Sequence, residues 1–187
     1  MAVILASQSP RRRELLSLLD IVFSVQASDV EETLEPGLSP EQQVAKLSRR
    51  KAEAVAHTAQ DVVIGADTVV VYGDKVLGKP ESREQAVQML QLLSGNTHRV
   101  MTGLTVLRGD KVVSCTEITE VTFRELSEKE IEAYVGTGEP MDKAGAYGIQ
   151  GGGAKFVSGI RGDYFNVVGL PVCRLSQILE TFTEEIQ

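Results

Sequence analysis

The sequence has few of the residues from which disulfide, metal and redox sites are usually built. Its 187 residues include only two cysteines, Cys115 and Cys173, and two histidines, His57 and His98. Neither pair has a metal-binding or redox spacing along the chain. Because disulfide staples are typical of small secreted domains, we expect structural thiols in a reduced compartment. A Ser-His-Asp pattern, a zinc motif, a Walker loop and a dinucleotide fingerprint are also missing.

Long apolar runs and a surplus of positive charge are missing too. No segment approaches the roughly 20 apolar residues that span a bilayer, and the apolar start at Val3–Ala6 lacks the basic leader of a signal peptide. Nineteen Lys and Arg face 26 Asp and Glu, which gives a net charge of −7. A protein that wraps a nucleic-acid backbone normally needs a broad basic face. We therefore expect a cytoplasmic protein that binds neither membrane nor nucleic acid.

Strand and helix signals alternate along the whole chain, and no linker marks a boundary. Hairpin turns at Gly73–Asp74 and Arg108–Asp110 would make antiparallel strand neighbours, whereas the intervening helices permit parallel ones. The chain has 42% apolar residues, enough for one large core or two closely joined lobes. The pattern predicts an α/β fold with a mixed central β-sheet flanked by helices, in a single domain over residues 1–187.

Local signals mark several element boundaries. Ser39 and Gln42 predict a capping box at the start of a long helix that runs to about His57. The β-rich run Val62–Tyr72 predicts a long strand, and the aromatic and β-branched segment Tyr164–Val168 predicts a short one.

The start of the chain has the composition of an anion-binding site. Strand Val3–Ala6 runs into the segment Ser7–Arg13, which holds two serines and three consecutive arginines. Ser9 suits the N-cap and Pro10 the first helical position, so free helix N–H groups would point toward the strand tip. The planar guanidinium group of arginine matches the geometry of phosphate oxygens well. Cations in a first helical turn, however, are unfavourable beside the positive end of the helix dipole. This misfit favours a bound polyphosphate over a capped helix with a solvated basic turn.

Two charged residues fall where a charge is costly. Asp67 follows Gly65 and Ala66 inside an apolar strand, where a carboxylate needs a partner or a metal and where small residues would let a ligand approach. The alternative is an edge-strand aspartate on a solvated face. Lys51 lies on the apolar stripe of its helix. Its side chain either extends out to solvent or ends in a cleft that binds an anion.

Further charged residues follow strands. Glu31 and Glu32, together with Asp67, would supply the oxygen ligands that Mg²⁺ requires, although an acidic surface loop is the alternative. Lys79, in a Gly-Lys-Pro segment, combines a restricted backbone with the flexible charged tip of a phosphate-binding lysine.

The glycine-dense segment Asp142–Gly151 is the second strong feature. Small residues would let the chain pack closely over a ligand, while Tyr147 would offer an aromatic face and Gln150 an amide that pairs with a base edge. The alternative is a loop whose glycines serve turn geometry alone.

Four motifs, in this order, resemble those of the Maf family of nucleotide pyrophosphatases, historically called septum-formation inhibitors. They are Ser7-x-Ser9-Pro10-Arg11-Arg12, Gly65–Thr68, Gly78–Pro80 and Asp142–Gly151. The resemblance implies an α/β fold like that of the inosine-triphosphatase relatives, with an elongated mixed sheet and two lobes around a cleft. It also implies a homodimer, a divalent cation, Mg²⁺ or Mn²⁺, and hydrolysis of nucleoside triphosphates to the monophosphate and pyrophosphate.

The resemblance extends to individual residues. Asp67 matches the family's proposed proton acceptor, and the sequence leaves open whether it activates water or holds the metal together with Glu32. Arg11, Thr68 and Gln150 match the group that acts on dTTP and UTP. Further catalytic or substrate-binding matches are Ser7, Arg12, Glu32, Lys51 and Lys79.

We therefore expect a metal-dependent dTTP and UTP pyrophosphatase that removes unwanted or modified nucleotides. The alternative is a nucleotide-binding regulatory protein that acts on cell division through a protein partner, as the family's older name suggests.

Overall fold

The computed structural model describes residues 2–33, 35–56 and 58–183, without the side chain of Thr183. The described residues form seven β-strands and six α-helices. In chain order they are β1 Val3–Leu5, α1 Pro10–Ser17, β2 Ser24–Val25, α2 Pro40–Ala54, β3 Val62–Tyr72, β4 Lys75–Leu77, α3 Arg83–Leu93, β5 Thr97–Arg108, β6 Lys111–Phe123, α4 Glu128–Gly136, β7 Val157–Arg161, α5 Tyr164–Val168 and α6 Val172–Thr183. Short 3₁₀ turns lie at Glu139–Asp142, Ala144–Ala146 and Gly152–Phe156.

The seven strands form one mixed sheet in the order β2-β1-β3-β5-β6-β7, and β4 pairs with β3. Strand β1 is parallel to both β2 and β3, whereas β4 is antiparallel to β3 and β7 to β6. The predicted α/β class with a mixed, helix-flanked sheet is confirmed. No helix among the described residues combines the length and the apolar character needed to cross a membrane.

The chain divides into two compact units. The first draws on the ranges 1–67, 102–117 and 169–187, and the second on 68–101 and 118–168. The expectation of one domain over residues 1–187 stays a prediction.

Capping residues set the helix starts of the first unit. The Ser9 side chain caps α1 by accepting from Arg12 N, with Pro10 in the first turn. Ser39 and Gln42 form the predicted capping box of α2, in which Ser39 N donates to Gln42 Oε1 at 2.9 Å. Helix α2 ends at Ala54. The sequence predicts its end near His57, a residue that lies outside the described ones.

A buried apolar cluster joins the sheet and α2 in the first unit. Its members are Ile4, Ala6, Ala52, Val55, Val63 and Leu107. A larger cluster in the second unit collects apolar residues of β3 to β6, α3, α4 and the segment 146–156, among them Leu90, Phe123, Tyr134, Tyr147 and Phe156. Each unit therefore has its own core.

The predicted strand Tyr164–Val168 is wrong, because these residues form helix α5. The Asp163 carboxylate accepts from Phe165 N at 2.8 Å, which caps a helical turn. The buried Asn166 amide donates to Val100 O at 3.1 Å and to Thr119 Oγ1 at 3.0 Å. These long-range bonds outweigh the β-propensity of the aromatic and valine residues.

Candidate active site

Helix α2 lies directly on the backbone of strand β3. A Cβ atom placed on Gly65 would lie 2.1 Å from Ser48 O and 2.9 Å from Ala52 N. A Cβ atom on Gly103, in β5 beside β3, would lie 2.0 Å from Val44 O. The interpretation of Gly65 as a place for ligand approach is wrong, because the backbone of α2 fills that space.

This close approach brings together Glu32, Lys51 and Asp67, which we call the ion-pair cluster. Alternate residues of a strand share a face, so Asp67 lies on the same face of β3 as Gly65. The Lys51 ammonium donates to Asp67 Oδ1 and to Glu32 Oε1, each at 2.6 Å. The side chains of Lys51 and Asp67 are 8% and 9% exposed, and that of Glu32 is 47% exposed.

The ion-pair cluster decides between the alternatives for two residues. Lys51 does not extend to solvent, since its ammonium is buried against two carboxylates. Asp67 does not lie on a solvated face, since its side chain is buried against the Lys51 ammonium. A buried charge must be matched by an opposite charge and by hydrogen bonds, and both ends of this pair meet that requirement.

The start of α1 holds a fixed arginine beside the cluster. The buried Ser7 hydroxyl accepts from Ser9 N at 3.2 Å and from Arg12 Nη1 at 3.4 Å. Arg12 Nε donates to Gly169 O at 2.8 Å. Burial lowers the pKa of the Arg12 guanidinium, while the negative charges of Asp67 and Glu32 act to raise it. An arginine keeps its charge even so, and this charge interacts favourably with both carboxylates.

The first unit thus brings together most of the predicted site residues. Six of them belong to it: Ser7, Arg11, Arg12, Glu32, Lys51 and Asp67. Arg11 is half-buried in α1, and its charge acts to lower the pKa of Arg12. The remaining three, Thr68, Lys79 and Gln150, belong to the second unit.

In the second unit, Gly78 links the segment of Lys79 to the glycine-dense loop. Gly145 N donates to Gly78 O at 3.1 Å. Thr68 lies in the middle of β3, on the face opposite Asp67. Gln150 is exposed at the loop surface.

The expectation that Tyr147 offers an aromatic face to a ligand is wrong. Tyr147 is 6% exposed, and its hydroxyl lies 2.8 Å from His98 Nε2. Its ring packs edge-to-face against Phe123, with 4.7 Å between ring centroids. Desolvation raises the pKa of Tyr147 and lowers that of His98 to about 4. Tyr147 is therefore a core residue.

Sequence reasoning missed the residues that shape this loop. The Tyr134 hydroxyl donates to Glu139 Oε1 at 2.9 Å, and both side chains bind backbone N–H groups of the loop. Nothing in the local pattern separates Glu139 from an ordinary surface glutamate or Tyr134 from an ordinary core residue of α4. The one available signal is the density of glycines between Gly138 and Gly153, which is consistent with close packing of a side chain against the backbone.

The donor set of the ion-pair cluster fits a divalent cation shared with a substrate. The described residues contain no group of three or more His, Cys, Asp or Glu side chains arranged to hold a metal. Glu32 and Asp67 nevertheless converge on one positive charge, the Lys51 ammonium. Mg²⁺ typically takes one or two protein carboxylates and completes its coordination with water and substrate phosphates.

The fold and site together define a class of protein. It is a mixed α/β protein that sets a helix N-terminus and fixed cations beside two carboxylates, a set of groups suited to polyphosphates. Residues 2–182 match the family described as Maf-like protein. The chain belongs to the Maf family, as the four sequence motifs predict.

Two relatives match nearly the whole chain. Proteins named dTTP/UTP pyrophosphatase from Bacillus anthracis (strain CDC 684 / NRRL 3495) and Bacillus cereus (strain AH820) are each 52% identical over 185 residues. Each match covers 98% of this chain and 97% of the relative. Among solved structures, a HAM1 protein from Coxiella burnetii has a TM-score of 0.52 at 14% identity, over 97% of this chain and 100% of that one. This last likeness concerns the fold alone.

Proposed function

We propose that this chain is a nucleoside triphosphate pyrophosphatase that hydrolyses dTTP and UTP to the monophosphate and pyrophosphate. The observation that carries the proposal is the ion-pair cluster, with Arg12 held beside it at the start of α1. The names of relatives that are 52% identical support the substrates. The same names do not favour a regulatory protein without catalytic activity.

In the proposed reaction, water attacks the α-phosphorus and the bond to the oxygen that bridges the α- and β-phosphates breaks. Pyrophosphate leaves, so the site must neutralise negative charge and orient one water. Arg12 and the N–H groups at the start of α1 would bind phosphate oxygens. Asp67, held by Lys51, would either accept the proton of the attacking water or hold the cation.

A divalent cation fits this scheme, and Glu32 and Asp67 are the residues that would hold it. When bound, it would polarise phosphate oxygens as a Lewis acid. Lys51 orients the carboxylate of Asp67 through the 2.6 Å bond to Oδ1. We propose Mg²⁺ or Mn²⁺, since carboxylate and phosphate oxygens suit these ions.

The remaining residues complete the substrate site in this proposal. Gln150 would pair with the uracil or thymine edge, because its amide both donates and accepts hydrogen bonds. Thr68 and Arg11 would contribute to the selection of the base, and Lys79 would bind a phosphate. A homodimer and a cytoplasmic location, both expected from the sequence, belong to the same proposal.

The test is a screen of dTTP, UTP, CTP and dATP with Mg²⁺ or Mn²⁺, followed by chromatography of the products. We expect monophosphate and pyrophosphate from dTTP and UTP, loss of activity with EDTA, and recovery when the cation is restored. Release of orthophosphate and a diphosphate would refute the assignment of the cleaved bond.

A matched pair of variants tests the role of Asp67. Asp67→Asn should lower kcat at least about hundredfold, since general base catalysis and metal binding both need the carboxylate. Asp110→Asn removes an exposed carboxylate in the turn between β5 and β6 and should leave kcat unchanged. A regulatory protein would instead keep its cellular effect when Asp67 is replaced.

A further inference from the structure

The side chains of Tyr134 and Glu139 hold the backbone on both sides of Gln150. The Tyr134 hydroxyl accepts a hydrogen bond from Gly148 N at 3.0 Å and donates one to Glu139 Oε1 at 2.9 Å. The other carboxylate oxygen, Glu139 Oε2, accepts from Gly152 N at 3.0 Å. Gln150 therefore lies midway between two backbone groups that are fixed by the same hydrogen-bonded pair.

The loop backbone wraps closely around this pair. A Cβ atom on Gly151 would lie 2.1 Å from Glu139 Oε1, and one on Gly153 would lie 3.1 Å from the Tyr134 hydroxyl. Close contact of this kind leaves the backbone between residues 148 and 153 little room to shift without breaking the bonds to Tyr134 and Glu139.

Tyr134 is itself rigidly placed. It is 2% exposed, and its ring packs edge-to-face against Phe156 with 5.1 Å between centroids. Burial raises the pKa of Tyr134, so its hydroxyl keeps the proton that it donates to Glu139. The loop is thus anchored to α4 through a side chain that cannot easily move.

We propose that Tyr134 and Glu139 are positioning residues that set the preference for uracil and thymine by fixing Gln150. This inference rests on the proposed function, because it takes Gln150 as the residue that reads the base. Neither side chain needs to touch the substrate. Their effect passes through Gly148 and Gly152, and it should change base selection more than hydrolysis itself.

The first test replaces Tyr134 by phenylalanine, which removes one oxygen and keeps the packed ring. UTP and CTP compete in one reaction, and chromatography of UMP and CMP gives the ratio of kcat/KM for the two substrates. We expect the preference for UTP to fall about tenfold, because the variant loses both hydrogen bonds of the hydroxyl, to Gly148 N and to Glu139. The KM for UTP should rise, while kcat should stay within about threefold of the wild type.

Tyr147→Phe is the matched control. It also removes a buried tyrosine hydroxyl, but that hydroxyl contacts His98 and no backbone group of the loop. We expect a similar loss of thermal stability and an unchanged preference for UTP over CTP. An equal loss of preference in both variants would overturn the inference, since it would reflect general destabilisation.

A double-mutant cycle separates this inference from the proposed function. Tyr134→Phe should have no further effect on base preference when Gln150 is already alanine, because the two residues act as one unit. If Gln150→Ala lowers the preference and Tyr134→Phe does not, the positioning role is refuted and the proposed function stands. If the wild-type protein hydrolyses neither UTP nor dTTP, the proposed function fails first.

Glu139→Met provides a second variant that keeps the approximate length of the side chain. Methionine has no carboxylate oxygen, so the bonds from the Tyr134 hydroxyl and from Gly152 N are both lost. The preference for UTP should fall by a factor similar to that of Tyr134→Phe. A folded Glu139→Met protein with the wild-type preference would contradict the inference.

Discussion

Replacement of Gly65 by alanine tests how the fold assembles the ion-pair cluster. The new Cβ atom would lie 2.1 Å from Ser48 O, whereas ordinary van der Waals contact begins near 3.4 Å. The clashing atoms belong to the backbone of α2, which cannot rotate away as a side chain could. The helix and the strand must therefore separate by roughly 1 Å, in proportion to this overlap.

The size of the effect follows from this displacement. Overpacking of a core typically costs about 1–3 kcal/mol, and a clash between two backbones belongs at the upper end of that range. For a protein of this length, about 3 kcal/mol corresponds to a fall in Tm of roughly 6–12 °C. Lys51 moves with α2, so its bond to Asp67 lengthens. A shift of about 1 Å in catalytic geometry can lower activity roughly hundredfold.

Thermal unfolding and steady-state hydrolysis of UTP measure the two effects. Gly136→Ala is the control, because a Cβ atom at this last residue of α4 meets no atom within 4 Å. This variant should keep its Tm within about 2 °C, since the stability effects of such substitutions are small. A Gly65→Ala protein with wild-type Tm and wild-type turnover would refute the argument that close helix–strand contact builds the cluster.

Three further predictions concern charge. Lys51→Met leaves Asp67 buried without its ammonium and should lower the free energy of unfolding in urea by about 3–5 kcal/mol; a loss below about 1 kcal/mol would contradict it. Burial lowers the pKa of His98 from 6.5 to about 4, so His98 binds a proton more readily in the unfolded chain than in the folded protein. Because of His98, the free energy of unfolding should therefore fall by about 3 kcal/mol between pH 6.5 and pH 4. His98→Gln should lack this part of the fall, and urea titrations at the two pH values measure the difference. Hydrogen bonds, the strongest of them from Arg124, lower the pKa of Glu130 from 4.5 to about 2. The contribution of Glu130 to the free energy of unfolding is therefore complete above pH 4.5 and is lost as the pH falls toward 2. A Glu130→Gln protein whose stability has the same acid dependence as that of the wild type would contradict this.

Elements that depend on local bonds could be predicted from the sequence. The capping box of Ser39 and Gln42 involves only four consecutive residues, so the start of α2 can be predicted from the local sequence. Gly73 likewise adopts a φ of +57° in the turn between β3 and β4, as the hairpin prediction requires. In both cases the responsible atoms are neighbours along the chain.

Elements that depend on distant partners could not be predicted in this way. Asn166 is held by Val100 and Thr119, and these contacts decide that Tyr164–Val168 is helical. Tyr147 is an aromatic residue among glycines, a pattern equally consistent with a ligand-facing ring. Its burial depends on His98, which lies 49 positions earlier in the chain.

The ion-pair cluster could be predicted only in part. Asp67 and Lys51 each stand out in the sequence, because a charge on an apolar strand or stripe needs a reason. Their pairing does not stand out, since it requires Gly65 and Gly103 to admit α2 onto the sheet. Helical side chains lean toward the N-terminus of their helix, and the long lysine stem carries its ammonium from α2 to Asp67 only at this short separation. The two glycines are therefore as necessary to the site as the charges, because any side chain in their place would hold the ammonium away from the carboxylate.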